Sequence, residues 1–364
     1  MASPACCPAN IRESKIAVGK VPQPDLVTPN AATDLVSFTK TNTTLSTVNP
    51  VTETDANDIG KGDEFASTVF PSHIEVTSPL EKYISSEFMP WCFAFALGNC
   101  TKTPTVPAGG FTYTVVPGDP IQTCIQMPVF TEVEQIRPGA DAVTDRALVG
   151  MAINDFTIAL ASGPGRANAR VTVNMIGTGK VISPSALTVP PPIAEHFLNA
   201  ASASITIAGI DYVLNQSFIS LEFRYTNNIR TDSGYFPGSG TQNGYAIRGR
   251  MEYGNREIGL TFVVRACKGS PEYNALLNQT EGPVDIQLAG AAIAAPAKHD
   301  MRIHLPRTVF TAANEGEADG IVTMNCTVTA LKPTDGVTPI LTFTGTTTLD
   351  GIYGLITTTE AKAA

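Results

Sequence analysis

Two stretches decide how this chain is read: "CIQMPVFTEVEQIRPGADAVTDRALVGMAINDFTIALA", Cys124 to Ala161, and "RIHLPRTVFTAANEGEADGIVTMNCTVTALK", Arg302 to Lys332. Each opens on an alternating run and an apolar residue–Pro step, Met127-Pro128 and Leu305-Pro306, and each then reads Val-Phe-Thr. Each passes through an acidic, glycine-bearing loop and re-enters a strand near Gly150 or Gly320. Alternation of apolar and polar residues is the mark of a half-buried β-strand. The pair therefore predicts one β unit carried twice, with no catalytic motif beside either copy.

Outward from these stretches, residues 1–33 are rich in Pro, Ala and Asn and read as an extended arm. "LVSFTKTNTTLSTV" (Leu35 to Val48) and "FASTVFPSHIEVTS" flank a polar loop and predict a long β-hairpin. Its tip carries Asp55, Asp58, Lys61 and Asp63. "PLEKYISSEFMPWCFAFALG" reads as a helix that starts at Pro79, is kinked or split in two at Pro90 and ends at Gly98. "GGFTYTVV", "TCIQMPVF", "LVGMAINDFTIALAS" and "ANARVTVNMIGTGKVI" read as strands between Pro-Gly and Gly-Pro-Gly breakers. "SPSALTVPPPIAEHFLNAAS" is a linker.

The second half repeats this plan. A hairpin carries Arg230, Asp232, Tyr235 and Phe236 in its tip. A helix follows, with Ser270 as N-cap, Pro271 at its first position and Gly282 past its end. "PVDIQLAG", "HDMRIHLPRTVF" and "DGIVTMNCTVTALK" then match the first-half strands in order. The fold class is mainly β: two tandem related β-barrel or β-sandwich modules, each with a short flanking helix and a long hairpin. The boundaries are an arm at 1–33, module one at 34–183, a linker at 184–203, module two at 204–350 and a tail at 351–364.

Composition narrows the function. The 364 residues are 43% hydrophobic but only 16% charged, against about 25% in ordinary soluble domains. Covering such a surface calls for a partner, and self-association supplies one. The net charge of −9, with 24 basic residues spread along the chain, disfavours binding to nucleic acid, which depends on neutralising phosphates. The N-terminus lacks the apolar stretch of a signal peptide, and no apolar run is long enough to predict membrane insertion. The seven cysteines show no metal or redox spacing; most read as small buried apolar residues, with Cys6 and Cys7 in the Pro-flanked terminus.

No residues are singled out as catalytic, metal-binding or cofactor-binding, and no cofactor is expected. His73, His196, His299 and His304 have no metal-ligand spacing with one another. "GTGK" at Gly177 lacks the rest of a phosphate loop and reads as a hairpin turn. Glu132 and Glu134, and Glu315 and Glu317, read as solvated acids in corresponding loops of the two halves.

The carriers "ISSEFMPWCFAFALGN", "GGFTYTVVPGDP", "ALVGMAINDFTIAL", "SFISLEFRYTNNI", "GYAIRGRMEYGNREIGLTFVV" and "HDMRIHLPRTVFT" together resemble, in order, the tail tube proteins of long-tailed bacteriophages. That family is related to the inner tube of contractile injection systems. The resemblance implies a structural virion protein, not an enzyme, assembled in the host cytoplasm and located in the tail. Its strands would join those of neighbours into a ring around a central channel, as trimeric pseudo-hexameric or hexameric rings stacked into a tube. Implied partners are other copies, the terminator, the tape measure and, in a contractile tail, the sheath. DNA would pass through the channel without specific binding. On this reading the hairpin tips contact the next ring, and Glu132, Glu134, Glu315 and Glu317 line the lumen or a ring face. A capsid-decorating or host-attachment β module is the alternative, favoured only by Tyr235-Phe236 at a tip; a β-rich hydrolase would need a clustered acid or histidine set.

Overall fold

The computed structural model describes residues 14–42, 44–54, 68–105, 109–118, 127–136, 144–163, 166–231, 234–236, 240–267 and 269–353. The described residues are mainly β, with two α-helices. The first half runs β1 (Ser14–Gly19), β2 (Leu35–Val36), β3 (Thr47–Thr54), β4 (Val69–Tyr83), α1 (Phe88–Leu97), β5 (Gly98–Pro104), β6 (Phe111–Pro117), β7 (Phe130–Ile136), β8 (Thr144–Ala161), β9 (Ala169–Gly177) and β10 (Lys180–Ile182). The second runs β11 (Ala203–Ile207), β12 (Ile210–Asp211), β13 (Phe218–Thr226), β14 (Thr241–Gln242), β15 (Tyr245–Ala246), β16 (Glu257–Arg265), α2 (Pro271–Leu277), β17 (Glu281–Ala294), β18 (Ala297–Ala318), β19 (Ile321–Ala330) and β20 (Thr342–Thr347).

Seven antiparallel pairings occur twice: β1–β2, β1–β7, β7–β8, β8–β9, β8–β10, β3–β4 and β4–β9 recur as β11–β12, β11–β17, β17–β18, β18–β19, β18–β20, β13–β16 and β16–β19. A β-bulge recurs too, between Ile153 and Asp155 in β8 and between Phe310 and Ala312 in β18. These pairings correct the strand-by-strand match read from the sequence. β18 is the counterpart of β8, not of β7, so the Leu305-Pro306 step lies inside β18 while Met127-Pro128 precedes β7. The β5–β6 hairpin after α1 has no equivalent after α2, and it displaced the sequence match by one strand.

Other boundaries shift as well. Residues 1–33 were read as an arm, yet β1 pairs with β7 inside the sheet. The first arm of hairpin one is β3, and Leu35-Val36 pairs with β1 instead. Pro79 lies in β4 opposite Asn174, so α1 begins at Phe88. Pro90 then sits in the first turn, where a missing N–H costs nothing, and needs no kink. Gly98 does end the helix, in the left-handed conformation at φ 87°. At α2, Ser270 and Pro271 open the helix as read, but Gly282 belongs to β17. "GTGK" is no hairpin turn: β9 and β10 run on along the same side of β8, kinked at Thr178-Gly179. Opposite that kink, β8 bends at Gly150 (φ 70°), where a Cβ would lie 2.5 Å from the Thr178 side chain.

One core serves both halves. All ten residues of α1 are buried, as a helix apolar on every face must be. Phe93 stacks on Phe343 of β20 with centroids 4.0 Å apart, and Trp91 meets Phe130 of β7 edge-on at 5.0 Å. Trp91 Nε1 donates to the Gly19 carbonyl at 2.9 Å, pinning α1 to β1.

Candidate functional site: an open sheet face and its two edges

Strands from both halves form one antiparallel sheet of eight, in the order β3-β4-β9-β8-β13-β16-β19-β18. The junction is β8 on β13, with Asp155 opposite Thr226 and Ala161 opposite Ser220. Strict alternation divides its faces. Phe156, Ile158, Val171, Val173, Phe223, Leu260, Phe262 and Val328 point into the core. The opposite face presents Glu75, Arg170, Glu222, Arg224, Glu257, Asn314 and Asn325 to solvent. Charge on it is mixed and partly paired: Arg170 Nη1 lies 3.0 Å from Glu81 Oε1. Among the described residues the end strands have unpaired edges: β3 pairs only with β4, and β18 beyond Phe310 only with β19. An unpaired edge is a template for another strand.

The sequence-predicted tip residues fall into two groups. Asp55, Asp58, Lys61, Asp63 and Asp232 lie outside the described residues. The rest of the second tip folds back onto its own chain. Tyr235 packs on His73 with ring centroids 4.9 Å apart and donates to the Ile74 carbonyl at 3.3 Å. Ala246 pairs with His73, and the Arg248 N–H donates to the Thr178 carbonyl at 2.7 Å. Arg230 and Phe236 stay exposed, with the Arg250 guanidinium 5.4 Å from the Phe236 ring centre. Tyr235, read as part of a tip that meets the next ring, packs half-buried against β4 of its own chain.

Glu132 and Glu134 are not loop acids. Both lie in β7 and are buried, so neither faces a lumen. Glu134 accepts from Arg146 Nη2 at 2.8 Å and from the Ser46 N–H at 2.9 Å. Glu132 accepts from Ser78 Oγ at 2.8 Å, and burial, then the neighbouring Glu134, push its carboxyl up to about 8. Glu315 and Glu317 are exposed but lie in β18, opposite Met324 and Val322. Since β7 corresponds to β17, the two acid pairs occupy unrelated positions.

Sequence reading also missed two buried polar clusters. Lys82, inside the ring cage of Phe38 and Phe88, pairs with Glu195 of the segment between the halves. Burial pulls its amine down to about 8, against the pull of Glu195. His196 and His299 stack at 3.7 Å beside Glu87. Their members lie over 100 residues apart along the chain, and no local pattern announces them. Among the described cysteines, Cys92 and Cys326 are buried as read, whereas Cys267 is exposed. No helix among the described residues is long and apolar enough to cross a membrane.

A sheet with one polar open face, ends unpaired among the described residues and an internal two-fold plan has edges that another strand could join. The chain belongs to the phage tail tube protein family, whose match covers residues 24–330. It is a structural, non-catalytic component of the virion tail, in a family that self-assembles into tubes. No curated protein matches the chain.

Proposed function

We propose that the chain is two tube modules in tandem and that three chains close a ring of six through strand β18 of each copy and strand β3 of the next. The observation that carries this reading is the β8–β13 junction inside the chain. The repeated pairings place β18 where β8 stands and β3 where β13 stands, so the two unpaired ends are the missing halves of the same junction.

The register follows. The bulges equate Asp155 with Ala312, and these face Asn174 and Thr327 respectively. Asn174 faces Pro79 and Thr327 faces Thr261, which equates Glu75 with Glu257 four residues earlier. Glu75 faces Asn49 and Glu257 faces Thr226, so Asn49 is the counterpart of Thr226. Asp155 opposite Thr226 within the chain therefore becomes Ala312 opposite Asn49 of the next copy, with Ala313 opposite Val48 and Asn314 opposite Thr47.

Closed this way, with α1 on the covered side, the open face lines the channel. Its exposed carboxylates Glu75, Glu222 and Glu257 outnumber the exposed guanidiniums of Arg224 and Arg265, Arg170 being paired with Glu81, and a duplex finds no array of cations to release its counterions onto. Glu315 and Glu317 alternate with Asn314 and belong to the ring face. Stacked rings, assembled in the host cytoplasm with the terminator, tape measure and any sheath, would conduct DNA. Replacing Glu222 and Glu257 with Lys should leave tubes intact and slow genome passage, with added salt relieving the delay; unchanged passage would place this face elsewhere.

Cysteines at Val48 and Ala313, in a Cys267→Ser background, test the ring. Oxidised tubes should yield a covalent trimer on a non-reducing gel. Failure to cross-link within intact tubes would overturn the junction.

A further inference from the structure

We propose that Glu87, His196 and His299 form a binding site for a zinc ion that ties the segment between the two halves to both of them. Glu87 directly precedes α1, His196 lies in the 184–203 segment and His299 is near the start of β18. Their ligand atoms all lie within 4.8 Å of one another. Nδ1 of His196 and Nδ1 of His299 stand 2.8 and 3.6 Å from the same atom, Glu87 Oε1. Around a tetrahedral Zn²⁺ with bonds of about 2.0–2.2 Å, neighbouring donors stand roughly 3.3–3.5 Å apart. The two separations from Glu87 Oε1 bracket that spacing, and the stacked rings, whose Nδ1 lone pairs run side by side, splay apart by rotation about χ2 to aim both at one ion.

The surroundings suit a metal. The imidazoles stack with an interplanar angle of 17° and turn their Nδ1 atoms toward one carboxylate. Glu87 Oε1 also accepts from the Ser86 hydroxyl at 3.0 Å and the Thr347 hydroxyl at 3.2 Å, while Oε2 accepts from the His196 N–H at 2.7 Å. Such outer partners orient a ligating carboxylate and raise its affinity. Glu87 and His299 are buried, while the His196 side chain is 42% exposed, which leaves an entry path and a fourth position for water. Two imidazoles and one carboxylate are donors that favour zinc over calcium or magnesium. In binding, the ion replaces the His196–Glu87 and His299–Ser86 hydrogen bonds, and both rings must be deprotonated at Nδ1.

The proposal does not depend on ring closure, because all three ligands belong to one chain. The full chain, stripped with a chelator and titrated with Zn²⁺, should retain about one zinc per chain by elemental analysis after gel filtration. Its Tm should rise until one equivalent is added, and Co²⁺ in place of zinc should show the visible absorption of a four-coordinate site. His196→Ala, at a half-exposed position, should weaken binding at least tenfold and abolish the saturating rise while an unchanged circular-dichroism spectrum shows it folded; Cys267→Ser should do neither. No stoichiometric uptake by the parent chain, or equal uptake by His196→Ala, overturns the site.

Discussion

The helices α1 and α2 occupy the same place in the two halves, each between the strand that ends its hairpin and the strand that follows. Their environments differ completely. Every residue of α1 is buried, whereas α2 buries only Glu272 and Ala275 and exposes Tyr273 and Leu277. The cause is what covers them. α1 touches β5, β6, β8 and β20, drawing its walls from both halves, while α2 packs chiefly on β18. One topology thus supports a central pillar in the first half and a surface brace in the second. The same contrast holds for β7 and β17: the first buries Glu132 and Glu134 where the second buries Val284, Ile286 and Leu288.

The sharpest way to break this comparison is to truncate one residue in each helix. Phe93→Ala should cost about 3–5 kcal/mol in denaturant unfolding of the subunit, because it empties the stack against Phe343 and Phe156. Leu277→Ala, at a side chain already 62% exposed, should cost less than about 1 kcal/mol. Equal losses would mean that the two helices share one role. The hairpin tips extend the contrast to assembly. We expect deletion of residues 55–63 to leave a folded subunit that forms no tubes in electron micrographs, since both tips are read as inter-ring contacts and the second also packs on its own chain through Tyr235. Normal tubes from that deletion would remove the tip from stacking.

The smaller effect concerns the buried acid. Glu132 is held protonated by burial and by Glu134, with its carboxyl near 8 in the folded chain and at the ordinary value of about 4.5 when unfolded. The folded state therefore binds the extra proton, and this group erodes stability as pH rises from about 4.5 to about 8. Glu132→Gln removes that penalty. Its melting temperature should exceed the parent's at pH 8, by a free energy above about 1 kcal/mol, and match it near pH 4. A pH-independent difference would show that Glu132 does not carry the proton.

Much was legible from the residues alone. Alternation fixed the β content, and the run ending at FMPWCFAFALG announced a helix whose end Gly98 marked, though its start was read too early at Pro79, since these signals are local and a few neighbours decide them. The sense that the chain repeats itself was also visible, as was the family resemblance. Only the tertiary structure decided the register of that repeat. Strand pairing is non-local, and the inserted β5–β6 hairpin changed which strands follow which without altering their texture. Tertiary packing likewise turned Tyr235 inward, buried Glu132 that its loop-like surroundings had suggested was solvated, and brought Glu87, His196 and His299 together. A charged residue's burial depends on partners that fold around it from elsewhere, and those partners cannot be counted along the chain.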